Sequence, residues 1–467
     1  MLALVAVAIS VLMAFGALAV DMSVLDLDKT RMQNALDAAV LAGAAMLPDT
    51  GAAAQEANAY IVANGLTTDG VTYTFEDGNM IINARKTMDV QAGFSQVFGN
   101  ETNSVTAAAS AQRYRTSLWP YDYLLFCADP SYTFDMGGRF DIEGSVHANG
   151  SIHASPGYGR VTGSLEACGT VYANPSTTTV GAVVPGAESV EMPDFTAVAA
   201  EIRPARPGLP AQTGTVTNLG AGKLPWGETQ VFNNYTVTAG STTVDCSTAT
   251  INNTFYSAGS LNITGRAILN NLNTLYVNGD LTIGNQAVLT GNVVVNGNVK
   301  IGGGSPVCVL NGNIYATGNI TFDNTYMGAG SLYAGGDITF SGGSVTHTGT
   351  IFAEGKLNMG NSFTGAGNLF AGGNITFNGN GMQMTQTQSV CVYSARGDIY
   401  MVTGDTTVTG VVYAPKGTVT LNGNTTTFIG SIIANRIGGI PANLIAKAPS
   451  SPPPVFESGE YKVKLTK

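Results

Sequence analysis

Between 251 and 440 apolar and polar residues alternate in short runs that break at glycines and restart about every 20 residues. The phrase "GNIYATGNITF" at 312–322 returns as "GSLYAGGDITF" at 330–340 and "GNLFAGGNITF" at 367–377. Aligned on its aromatic, the phrase falls at Tyr256, Tyr276, Val294, Tyr315, Tyr333, Phe352, Phe370, Tyr393, Tyr413 and Ile433, at intervals of 20, 18, 21, 18, 19, 18, 23, 20 and 20. β-Branched runs, glycine-containing corners and no helical period predict the coils of a parallel β-solenoid. Ten coils are legible here, and "SVHANGSIHA" at 145–154 with "TVYANP" at 170–175 read as earlier, interrupted ones.

Strand parity assigns the columns. Before the aromatic stand Leu275, Val293, Ile314, Leu332, Ile351, Leu369, Val392, Val412 and Ile432; after it, mostly alanine, as at Ala316, Ala334, Ala353 and Ala371. With Ile320, Phe322, Ile338, Phe340, Leu357, Met359, Ile375 and Phe377 they predict an apolar interior. The aromatic itself then points outward with Thr282, Thr321, Thr339 and Thr376. Tyr315, Tyr333, Phe352, Phe370, Tyr393 and Tyr413 thus form a candidate contact stripe, about 4.8 Å from coil to coil. The Pro-, Val- and Ala-rich segment 174–230 is its nearest candidate cover, ahead of a partner subunit or a glycan. Asn319, Asp337, Asn374 and Asp280 share one corner, where short side chains bond local backbone.

Residues 1–20 carry no charge and span about 30 Å as a helix, enough to cross a bilayer. Ala17-Leu18-Ala19 also fits a signal-peptide cleavage site, without the basic n-region such peptides carry. The helix continues amphipathically, with Val24, Met32, Ala35, Ala39 and Leu41 on one stripe, until Pro48. Residues 52–113 predict a helix, two strands around the Glu76–Asn79 turn, a short helix at "AGFSQVFG" and a further strand. The resulting organisation is a transmembrane helix at 1–20, an α+β module at 21–113, interrupted coils at 114–173, a Pro-rich insertion at 174–230, the parallel β-helix at 231–440 and a Pro-rich tail at 441–467. The fold class is mainly β.

The apolar span, Asp21 directly behind it and then "RMQNALDAAVLAGA" resemble the N-terminal segment of Tad/Flp pilus-assembly proteins of the TadE/TadG-like type, matching at Asp21, Gln33, Asn34, Asp37, Ala38 and Ala39. The resemblance implies a single-pass protein of the bacterial cell membrane with an extracytoplasmic bulk, and no catalysis. Charge alone gives no orientation, since Lys29 and Arg31 follow the span and nothing basic precedes it. "GNVVVNGNVKIGG" resembles bactofilin-type repeats, which implies a polymer-forming scaffold as the alternative.

Composition narrows the chemistry. Only 11% of residues are charged, the net charge is -10, and no basic cluster offers a nucleic-acid surface. Asp280, Asp337 and Asp398 lie three coils apart, roughly 14 Å, too far for paired-carboxylate catalysis. No phosphate loop, nucleophile elbow or H-E-x-x-H occurs. His147 and His153 flank one corner and His347 stands alone; surface or corner roles outweigh metal ligation. Cys127, Cys168, Cys246, Cys308 and Cys391 read as buried structural thiols, with Cys127–Cys168 the first disulfide to test. No catalytic residue, cofactor or metal is expected. The expected partners are the lipid bilayer, pilus-assembly proteins or a second copy, with a glycan as an envelope-polysaccharide alternative.

Overall fold

The computed structural model describes residues 2–76, 78–91, 102–115, 120–208, 216–304, 306–360, 362–449 and 461–466. It divides into two compact units, Met1–Leu118 with Gly459–Lys467 and Trp119–Ser458.

In the first unit helix α1 runs unbroken from Leu2 to Met46, about 67 Å at 1.5 Å per residue. Its two halves meet different surroundings. Leu4, Leu12, Met13 and Phe15 are exposed, whereas Met32, Leu36, Ala39, Val40 and Ala44 are fully buried. The buried half packs on helix α2 (Thr50–Ala63), whose first turn is capped by the Asp49 carboxylate accepting from the Gly51 and Ala52 amides. Gly43 permits the contact, because a Cβ there would lie 2.8 Å from the Ala53 carbonyl oxygen. Behind the helices lies an antiparallel sheet ordered Val71–Glu76, Ile81–Gln91, Thr102–Arg115, Tyr461–Leu465. The expected short helix at "AGFSQVFG" and the turn residue Asp77 lie outside the described residues.

The second unit is a parallel β-solenoid of about 16 turns. Its wall follows the sequence parity: Ile314, Ala316, Ile320, Phe322, Leu332, Ile338 and Phe340 are buried in one continuous interior cluster. Phe322 and Phe340 stack there with centroids 5.1 Å apart. A glycine three residues before Tyr315, Tyr333, Phe352 and Phe370 turns the chain: Gly312, Gly330, Gly349 and Gly367 pair in register at φ +157°, +118°, +122° and +126°. At Gly330 a Cβ would lie 2.0 Å from the Gly312 oxygen, so no larger residue fits. The corner acceptors bond the next coil rather than local backbone. The amides of Asn298, Asn319, Asp337 and Lys356 donate to Asp280, Asn298, Asn319 and Asp337 at 2.7, 2.9, 2.7 and 2.7 Å. The 23-residue interval is absorbed by a register break between Thr385 and Val390.

The order of stacking revises the expected organisation. The coils at 125–185 do not precede the main solenoid but close its far end. Ile432–Ala434 pairs with Leu125–Cys127, and Leu444–Lys447 pairs with Phe140–Glu143. Val146–Ala148, Leu165–Ala167 and Ala182–Pro185 follow as the last layers. The other end is Thr217–Leu219 and Gly222–Leu224, stacked on the Tyr235 and Thr242 strands. The span set down as a 174–230 insertion therefore supplies strands to both ends of the wall. The span set down as a 441–467 tail supplies Asn443–Lys447 to a coil and Tyr461–Leu465 to the first unit's sheet.

Candidate functional site

Pairing lines up one outward column along the second unit. It runs Thr236, Tyr256, Tyr276, Val294, Tyr315, Tyr333, Phe352 and Phe370, then Tyr393 and Tyr413. Beyond Ile433 it continues into the N-terminal coils as Phe126, His147, Glu166 and Val184. All six residues of the sequence-derived stripe stand in it. Tyr315 and Tyr333 stack at 4.3 Å, Tyr333 and Phe352 at 5.8 Å, Phe352 and Phe370 at 4.0 Å. Tyr393 meets Phe370 edge-on at 5.1 Å and Tyr413 at 5.0 Å.

The column is covered by the chain itself. After Pro185 the backbone leaves the wall and runs back along the rings as a strap, with helix α3 (Thr196–Ile202) in its middle. Val190, Phe195 and Val198 join Tyr333, Phe352, Phe370, Tyr393 and Tyr413 in one buried cluster, against which Ile202 and Tyr315 pack. Phe195 lies 4.4 Å from Tyr413, whose hydroxyl donates to the Pro193 carbonyl. Arg203 sits over the Tyr333 ring, donates to its hydroxyl at 2.8 Å and pairs with Glu354 at 2.6 Å. Arg206 sits over Tyr315 and donates to Asn296 at 2.7 Å. Burial pushes the Tyr333, Tyr393 and Tyr413 hydroxyls up; at Tyr333 the Arg203 hydrogen bond opposes the shift. A cavity of about 200 Å³ remains at the strap's foot, lined by Pro204, Pro207, Asn313, Tyr315 and Ser331 among others.

The strap is tied at its start by a polar knot. Asn149 accepts from the Val190 amide at 2.9 Å and donates to the Val190 and Ala128 carbonyls. Its oxygen also lies 3.0 Å from His147 Nε2, so that nitrogen carries the proton and Nδ1 is left bare, 3.8 Å from Glu166. The Tyr123 hydroxyl donates to the same carboxylate at 2.8 Å. Burial lowers the His147 pKa against the opposing Asn149 and Glu166 interactions, which keeps the ring neutral.

The histidines correct the surface reading. His147 and His347 are buried, and only His153 is exposed, paired with Asp135 at 3.1 Å. His347 lies inside the solenoid, with Nδ1 3.2 Å from the Tyr326 hydroxyl; burial lowers its pKa to about 4. All five cysteines are free thiols, so Cys127 and Cys168 are not bridged. Burial pushes the Cys127 thiol up to about 12. Among the described residues no group of three or more His, Cys, Asp or Glu converges as a metal site.

Sequence reasoning missed Phe126, His147 and Glu166 as members of the column and Asn149, Phe195, Arg203 and Arg206 as the strap's anchors. A signal was present for two of them. Leu125-Phe126-Cys127 and Val146-His147-Ala148 repeat the pattern of an aliphatic residue, a ring and a small residue.

Fold and site together define two units, a helix-and-sheet module whose α1 is long and apolar enough to cross a membrane, and a strapped β-solenoid. Comparison with family models matches residues 1–46 to the Flp pilus-assembly TadE/G-like family and residues 309–439 to a domain of unknown function, DUF7305. Searches of curated proteins and of solved structures return no match.

Proposed function

We propose that the protein is a membrane-anchored structural component of the bacterial envelope, associated with Flp pilus assembly, which carries its solenoid outside the membrane. One observation carries this reading: the Tad-like segment is a single helix with an exposed apolar half, long enough to cross a bilayer, and a buried half that forms the core of a folded module. The anchor and the module therefore share one element. A non-catalytic role is supported by the corner carboxylates, since Asp280, Asp337 and Asp398 each accept a backbone amide of the adjacent coil. The strap likewise occupies the column that a glycan would need.

The test is fractionation of the native chain after a high-salt and an alkaline wash, together with pilus counts in a strain lacking the gene. Retention in the membrane with reduced piliation is expected. A soluble chain beginning at Val20 would replace the anchor with a cleaved signal peptide. Normal piliation would remove the pilus link.

A further inference from the structure

The strap is held at its foot and at its start by different chemistry. At the foot Arg203 pairs with Glu354 and Arg206 donates to Asn296. At the start the tie runs through one side-chain amide: Asn149 accepts from the Val190 amide and donates to the Val190 carbonyl. The same Asn149 oxygen receives the His147 Nε2 proton at 3.0 Å and the Cys168 thiol at 3.7 Å. Of the three histidines in the chain, His347 lies inside the solenoid and His153 on its exposed surface; His147 alone stands in the ring column. Its register neighbours there are Phe126 and Glu166, so the side chain points out of the wall, yet it is 0% exposed. An outward side chain is sealed by what lies over the wall. Here that is Tyr123, with its ring centroid 4.9 Å away, and the Val190 end of the strap, which shares one buried cluster with Tyr123 and Phe126.

We infer that His147 is a proton-sensitive latch for the strap, which releases the Val190 end below neutral pH and opens the ring column beneath it. In the closed strap the imidazole stacks on Phe126 at 5.7 Å, and its Nδ1 has no hydrogen-bond partner. A second proton must go to that nitrogen. From the wall it faces Glu166, 3.8 Å away and beyond hydrogen-bond distance, whose carboxylate already accepts from the Tyr123 and Ser164 hydroxyls. Cys168 stands beside Asn149 as a thiol that burial pushes up. From the 120–123 segment come the Tyr123 phenol, also pushed up by burial, and Asp122, which acts on it. On the strap Glu188 and Glu191 flank Val190, and both are exposed. A single carboxylate that makes no hydrogen bond to the ring does not offset the cost of burying an imidazolium, and burial holds the closed ring below its ordinary pKa. Opening returns the ring to water, where imidazole titrates near about 6.5. The open strap therefore binds the proton more readily than the closed one. Closure is fully supported above about pH 6.5 and weakens as pH falls below it. This inference stands apart from the pilus reading, since it concerns the second unit alone.

The test places a thiol under the strap. Val198, buried against the same rings, is changed to Cys in full-length chain purified in detergent. The chain is treated at a series of pH values with a dithiodipyridine reagent, which still modifies thiols in mild acid. Modification at position 198 is read by peptide mass spectrometry and divided, at each pH, by the rate in urea-unfolded chain. The expected accessibility is constant above about pH 7 and climbs below about 6.5, approaching tenfold per pH unit. Adding His147→Gln, which keeps a donor for Asn149 and does not titrate, should make it flat, with the coil wall intact by circular dichroism. Glu166→Gln serves as the second variant: it removes the facing carboxylate and keeps an acceptor for Tyr123, so the climb should persist and extend to lower pH. A flat parent profile would overturn the inference, and so would a climb that survives His147→Gln. Loss of the climb in Glu166→Gln would assign the proton to the carboxylate and overturn it as well.

Discussion

Replacing Phe352 with alanine tests whether the strap is held by the ring column. Phe352 is 3% exposed, stacked on Phe370 at 4.0 Å and on Tyr333 at 5.8 Å, and buried in the cluster that includes Val190, Phe195 and Val198. Phe→Ala in a core costs about 3–5 kcal/mol, and stacked rings add about 0.5–1.5 kcal/mol. The ring lies between the wall and the strap rather than inside the coil, where Ile351 and Ala353 keep their places. The strap can settle into the vacated space, so the lower figure, about 3 kcal/mol, applies. That amount raises the open fraction of the strap about a hundredfold, at 1.4 kcal/mol per decade. Chymotrypsin reads the opening at Phe195, which is 3% exposed beneath the strap; trypsin is unsuitable because Arg203 and Arg206 both precede proline. Cleavage after Phe195 should accelerate by about two orders of magnitude, with reclosing fast relative to cutting. An unchanged rate, with the coil wall intact by circular dichroism, would refute the idea that the column holds the strap.

Three further outcomes follow from the same geometry. Ile338→Asp places an unpaired charge in the solenoid interior and should cost several kcal/mol in chemical denaturation, whereas Thr339→Asp, on the opposite face, should stay within about 0.5 kcal/mol. Gly330→Ala meets both a positive φ and the Gly312 oxygen; a melting temperature within 1 °C of the parent would show that the corner is not tight. His347 is neutral in the fold, with its pKa near 4 against 6.5 when unfolded. The unfolded chain therefore binds the proton first as pH falls, and the stabilising contribution, complete above about 6.5, is lost towards pH 4, by about 3 kcal/mol at most. His347→Leu should flatten stability against pH over that window, and an unchanged slope would assign the acid sensitivity to other groups.

Much of the wall was legible in the residues because a strand has period two and every coil repeats the same test. Ile338 and Phe340 face in, Thr339 faces out, and each stripe aromatic stands in one column. The glycines before Tyr315, Tyr333, Phe352 and Phe370 are readable too, since a Cβ at each would meet the backbone of the coil beneath it. His147 was legible in principle, as the ring between Val146 and Ala148. Helix α1 was legible from its apolar run and the stripe after it.

Only the tertiary structure decided where the coils at 125–185 go. Every coil presents the same open ladder of amides and carbonyls, so pairing chemistry carries no address. Leu125–Cys127 could in principle sit on either end; it lies on Ile432–Ala434, and the chain must then return the length of the stack to begin at Thr217. That return makes the strap, and the strap's path buries the rings, turns Arg203 and Arg206 into clamps and gives Asn149 its partner in Val190. The alternation of residues set which side chains face outward, while the order of stacking set what lies over them.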